Sequence, residues 1–177
     1  MAGSGRVEEE QARFEELKFY QIAQLLVQAA YEVAKKLPDY EKYNMASQLR
    51  RAALSTTLNI AEGYGRYHYP DKLRFFYYAR GSLYETLSAF VSAHSVKYID
   101  DQQLAWVRRH CDEAAAALNG YINYIRKHKQ GAGTYGEKYV REPAVLSDYE
   151  LADTYEPSQF PTPEFPNSLS TDTGEET

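Results

Sequence analysis

Cysteine is nearly absent from this 177-residue chain, Cys111 being the only one. A lone thiol can neither close an internal disulfide nor build a cysteine zinc site, so disulfide scaffolds and zinc fingers are excluded. No apolar run reaches the roughly 18 residues needed to span a bilayer. Nor is the opening Met1-Ala2-Gly3-Ser4-Gly5-Arg6 followed by the apolar stretch of a signal peptide. A cytoplasmic protein with no membrane partner is therefore expected. Strand-type alternation is missing throughout. No Glu has a His three residues later, so the paired ligands of a ferritin-like diiron bundle are missing too.

Charge and proline are unevenly spread. Residues 18–130 hold 16 Lys/Arg against 10 Asp/Glu, a net of +6, whereas residues 131–177 hold 2 against 10, a net of −8. The overall −5 thus hides a basic body and an acidic tail. Five of the seven prolines, at 143, 157, 161, 163 and 166, also lie in the tail. Such a segment cannot bury enough apolar surface to offset its ordering entropy, so 131–177 is expected to be largely disordered. Residues 1–13 read as an N-terminal extension, with Glu8-Glu9-Glu10 suited to a solvated first helical turn.

Residues 14–130 carry four segments of helical period. Phe14, Leu17, Ile22, Leu25, Leu26, Ala29, Val33 and Leu37 recur at spacings of three and four until Pro38-Asp39. A second helix is predicted from about Tyr40 to Tyr64, with Met45, Leu49, Ala52, Ala53, Thr56, Ile60 and Ala61 on one stripe and a stop at Gly63 and Gly65. Pro70 suits the first turn of a third. Its core face reads Leu73, Phe76, Ala79, Leu83, Leu87, Phe90, Val91 and His94. The fourth opens at Asp100 or Asp101, with Gln103 placed for a capping box, and continues through Leu104, Val107, Cys111, Ala114, Leu118, Ile122 and Ile125. Four helices of similar length with short connections predict an all-α, antiparallel up-down-up-down four-helix bundle.

Folding the second and third helices back about residue 68 brings residues whose numbers sum to about 136 to one height. Arg51 then meets Glu85, and Glu62 meets Arg74, as two register-setting ion pairs. Ser55 falls opposite Gly81 and Ser82, where small residues permit close helix approach.

Three strings, Ser47-Gln48-Leu49-Arg50-Arg51-Ala52-Ala53, Asn59-Ile60-Ala61-Glu62-Gly63-Tyr64-Gly65-Arg66 and Gly81-Ser82-Leu83-Tyr84-Glu85, carry a family resemblance. Over about residues 14–130 the chain resembles the four-helix bundle proteins encoded by intervening sequences of bacterial large-subunit rRNA genes. The resemblance implies a small antiparallel bundle that assembles as a ring-like homopentamer. It also implies a distant relationship to the accessory variability proteins of diversity-generating retroelements, basic pentamers that bind nucleic acid and a reverse transcriptase. The acidic tail departs from the family pattern.

Catalytic constellations are scarce. His68, His94, His110 and His128 fall at irregular spacings on different faces, so no metal site is expected. Cys111 sits on an apolar stripe and reads as a small hydrophobe. Gly131-Ala132-Gly133-Thr134-Tyr135-Gly136 matches a dinucleotide-binding string, but it follows a helix and opens no βαβ unit, so it reads as a hinge. With no nucleophile, base and orienter together, neither an enzyme nor a cofactor is expected.

What remains is basic and aromatic. Arg66, Tyr67, His68, Tyr69, Lys72, Arg74, Phe75, Tyr77, Tyr78 and Arg80 gather around the second connection. Cations for phosphate and aromatic faces for unpaired bases suit RNA or DNA, with Arg50, Arg66, Lys72 and Arg80 as phosphate contacts and Tyr67 or Tyr69 for stacking. The same segment suits an interface between subunits, where Tyr and Arg are enriched, better still, and the two uses are compatible. The tail could compete for the basic surface. It could also act as a mere solubiliser, or recruit a protein partner through Tyr149, Tyr155, Phe160 and Phe165. Two functions follow: a nucleic-acid-binding accessory protein, or a non-catalytic oligomeric scaffold.

Overall fold

The computed structural model describes residues 13–128 together with Phe165. The extension before Arg13, the hinge string and the acidic tail apart from Phe165 lie outside the described residues. Among those described there are four α-helices, α1 (Lys18–Lys36), α2 (Met45–Gly65), α3 (Tyr69–Ser95) and α4 (Asp101–His128), with 3-10 turns at Phe14–Glu16 and Asp39–Glu41 and no strand.

Two helices begin later than periodicity predicts. Leu17 is extended, with φ −65° and ψ 124°, and separates the turn at Phe14–Glu16 from α1. That break turns Phe14 back onto Tyr20, edge to face at 5.1 Å, and toward Tyr64 at 6.2 Å. Before α2, Glu41 accepts the Met45 N–H at 3.2 Å, giving an orphan donor of the first turn a partner. The capping box expected at α4 forms. The Gln103 N–H donates to Asp100 Oδ1 at 2.8 Å, and the Asp100 N–H donates to Gln103 Oε1 at 3.1 Å.

Each helix packs on two others, α1 and α3 both lying against α2 and α4. Ser55 and Ser82 meet at 2.8 Å, while Gly63 lies against Lys72, Phe75 and Phe76, so α2 and α3 run antiparallel. Between α3 and α4, His94 meets Asp101 at 2.7 Å and Arg80 meets Asn119 at 3.0 Å. The expected up-down order is consistent with these contacts.

The α2–α3 seam is built from small and hydroxylated residues. Thr56 and Thr86 are buried, and their hydroxyls donate to the carbonyls of Ala52 and Ser82 in their own helices. Satisfying these polar atoms internally removes the desolvation cost of an unpaired group and leaves the backbones free to approach. The point of closest approach differs from expectation. Gly81 is exposed with nothing within 4 Å of a built Cβ, whereas at Gly63 a Cβ would meet Phe75 Cβ at 3.1 Å. One residue is a rotation of about 100° on a helix, so Ser82 faces α2 and Gly81 does not.

The core divides into two parts along the bundle. Toward the α1–α2 and α3–α4 connections it holds Leu26, Leu49, Phe90, Trp106 and Val107. Toward the α2–α3 connection it holds Phe19, Ile60, Tyr69, Phe76, Leu118 and Ile122. There Phe76 packs edge to face on Phe19 at 6.1 Å and on Tyr121 at 5.2 Å. Each fully buried Phe contributes roughly 1.5–3 kcal/mol. Three residues of the predicted α3 core face differ: Val91 is exposed, and Leu87 and His94 are half-buried.

Candidate nucleic-acid interface

The α2–α3 connection is only a few residues long, and it determines which side chains leave the core. Tyr69, Leu73 and Phe76 follow each other at four and three residues and turn inward together. Tyr69 is thereby 4% exposed and packed in the core, so it is not available to stack on a base. Tyr67, two residues earlier in the connection, is 62% exposed and meets His68 edge to face at 4.9 Å. Of the two stacking candidates, only Tyr67 faces solvent.

The cations separate in the same way. Lys72 is half-buried and donates from Nζ to the Tyr64 carbonyl at 3.4 Å, in the last turn of α2. A cation there complements the negative end of the helix dipole, and burial pushes the Lys72 ammonium below its ordinary value. Arg80, also half-buried, donates to Asn119 Oδ1 at 3.0 Å and lies 5.3 Å from the Tyr77 ring centroid. These two are joints between helices before they are phosphate contacts. Arg50 is half-buried with no side-chain partner among the described residues, and it lies on α2 well away from the connection.

Neither predicted ion pair is made. Arg51 donates to Gln48, three residues before it, and Glu62 accepts from Arg66, four residues after it. Glu85 is exposed and has no ion pair within the described residues. All four side chains are at or near the surface, where a partner one turn away on the same helix costs less side-chain entropy than one reached across the seam.

Released from Glu62, Arg74 lies over Phe75, with its guanidinium carbon 5.3 Å from the ring centroid, and Arg66 lies over the same ring at 4.9 Å. Tyr78 meets Phe75 edge to face at 5.9 Å. Arg66, Arg74 and Tyr78 are exposed. Two guanidinium groups thus share one phenyl ring at the surface, each held by a cation–π contact of about 0.5–1 kcal/mol. Sequence reasoning placed Phe75 and Tyr78 in the segment without singling them out, and it assigned Arg74 to the wrong partner.

A model of the 23S rRNA-intervening sequence protein family matches residues 15–120. The chain belongs to this family. The matched span contains α1, α2, α3 and most of α4, and so includes Arg66, Arg74, Phe75 and Tyr78. No curated protein matches the chain at a significant level.

The other titratable groups of this family member are dispersed. No group of three or more metal-ligating side chains occurs among the described residues. Cys111 is buried, and burial together with Asp112 pushes its thiol up to about 12, which keeps it protonated. His110 is buried beneath Trp106, the ring centroids 3.7 Å apart, and its Nδ1–H donates to the Trp106 carbonyl at 2.8 Å. No described helix is long and apolar enough to cross a membrane.

Proposed function

We propose that this member of the 23S rRNA-intervening sequence protein family is a non-enzymatic, homo-oligomeric bundle that binds RNA or DNA through the surface around Phe75. The single observation that carries the reading is the pair Arg66 and Arg74 laid on the Phe75 ring, with Tyr78 at its edge and Tyr67 exposed nearby. Arg74, and the donors that Arg66 does not give to Glu62, are so held for a phosphate at little further entropic cost, while exposed rings offer unpaired bases a stacking face. Membership of a family named for intervening sequences of an rRNA gene fits a non-catalytic role near nucleic acid. Lys72 and Arg80 support the site by holding α2 and α4 against α3.

Assembly would strengthen binding. Leu58 is 65% exposed on the outer face of α2. An exposed apolar side chain at that position favours contact between copies of the chain. A ring of five would present five such surfaces and multiply the +6 of residues 18–130 to +30. The acidic tail then supplies an internal competitor. The second reading, an oligomeric scaffold whose tail recruits a protein, rests on the same exposed apolar residue.

The test is fluorescence anisotropy of labelled single-stranded and structured RNA and DNA, titrated at several salt concentrations with the full chain and with Arg66→Ala/Arg74→Ala. The reading requires salt-sensitive binding by the parent, with a log–log salt slope that falls by about one for each phosphate contact removed. No binding by the parent at low salt, or equal binding by the double variant, sinks it. Light scattering at the same concentrations tests assembly, and a monomer mass removes the argument from repeated charge.

A further inference from the structure

Phe165 is the one described residue beyond His128, and it does not stand apart from the bundle. Its ring meets the Trp106 indole edge to face, centroids 5.1 Å apart with an interplanar angle of 86°. It is half-buried and packs against the larger core cluster. Below it, Trp106 is stacked on His110, whose Nδ1–H is held by the Trp106 carbonyl. The three rings are in contact in sequence, Phe165 to Trp106 to His110, and the backbone hydrogen bond holds the last two together.

We propose that the surface around Trp106 is a docking site for the chain's own acidic tail, with Phe165 as its anchor. The inference does not depend on nucleic-acid binding.

Geometry favours an anchor from the same chain. Trp106 and His128 are separated by 22 residues of α4, about 33 Å along the helix axis. From His128 to Phe165 the chain has 37 residues. At about 3.3 Å per residue that stretch can extend to about 120 Å, so it is long enough to span the distance. The flanking sequence suits a docking strand, since Pro161, Pro163 and Pro166 restrict the backbone before binding and so lower the entropy lost on ordering. Charge agrees as well. Glu164 precedes the anchor, and α4 exposes Arg108 and Arg109 next to Trp106. The ring pair gives the contact its specificity, because a T-shaped aromatic pair is favourable beyond the area it buries.

Trp106 is the only tryptophan in the chain, so its emission reports the site without a label. The full chain and its Phe165→Ala variant are compared by emission maximum and acrylamide quenching, with circular dichroism confirming equal helix content. The variant is expected to emit further to the red and to quench more steeply. A synthetic peptide of residues 158–169, added to the variant at about millimolar concentration, the scale of a tethered ligand, reverses both changes with saturation. Parent and variant with the same spectrum and quenching overturn the site, and so does a peptide without effect. Protection of the parent that disappears on dilution assigns the anchor to a neighbouring copy and overturns docking within one chain.

Discussion

The backbone of Gly63 approaches Phe75 so closely that a methyl group added to the glycine would sit 3.1 Å from Phe75 Cβ and 3.3 Å from the Lys72 carbonyl. Neither atom is the far end of a flexible side chain, so relief requires α3 to move. Replacing Gly63 by Ala gains about 1 kcal/mol of helix propensity and loses about 1–3 kcal/mol to overpacking, a net loss of about 1 kcal/mol. Gly81→Ala meets open space and gains the propensity term alone. Urea unfolding of the two variants should move the midpoints in opposite directions; a stabilised Gly63→Ala would mean that the seam gives way.

Glu85→Ala is expected to leave stability within about 0.5 kcal/mol of the parent, because Glu85 is exposed with no ion pair among the described residues. Asp100→Ala removes one half of the capping box and should cost about 1 kcal/mol. Thermal melts of both variants, recorded together, separate a surface charge from a cap. A loss at Glu85 equal to that at Asp100 would restore the cross-helix pair with Arg51.

The difference between these two acids shows what a sequence makes legible. The capping box involves residues three apart, and its geometry follows from helix formation alone. The Arg51–Glu85 pair needed two helices in correct register, and the register was right, as Ser55 and Ser82 demonstrate at 2.8 Å. Yet flexible surface side chains have closer partners on their own helix, and register does not choose among them. The candidate site divided for a similar reason. Tyr69 and Tyr67 are equally plausible stackers by composition, and only the inward run of Tyr69, Leu73 and Phe76 separates them. That spacing was readable. The sharing of Phe75 by Arg66 and Arg74 depends on the turn between two helices and carries no periodic signal.

The buried imidazole of His110 makes stability depend on pH in a defined direction. Burial is the largest influence and holds its pKa below the ordinary 6.5, with Arg109 and Lys18 acting in the same sense and Glu113 and the Trp106 carbonyl opposing them. The unfolded chain therefore takes up a proton at a higher pH than the folded one. Stability is complete above about 6.5 and declines as pH falls through that value. The urea midpoint should drop between pH 7.5 and 5.5, and this slope should flatten in His110→Gln. An unchanged slope in the variant would assign the dependence to other groups.

Cys111 should resist a thiol-specific reagent in the folded protein at pH 8, since burial keeps it protonated and out of reach. Full reaction is expected once denaturant is added. Rapid labelling of the native chain would show that α4 opens locally.

At the end of the bundle opposite Phe75, the Tyr98 hydroxyl donates to Glu41 at 3.0 Å, and the Tyr40 hydroxyl lies 3.0 Å from it. Two connections distant in sequence are fastened there by side chains, whereas the side-chain contacts at the α2–α3 turn join residues close in sequence, Lys72 to the Tyr64 carbonyl and Arg66 to Glu62. In kinetic terms this gives fluctuation a direction. Local opening costs less where the contacts are local, so amides beside Tyr67 should exchange with solvent sooner than those after Glu41. The end that carries the paired guanidinium groups is thus also the end best able to adjust its shape to whatever it meets.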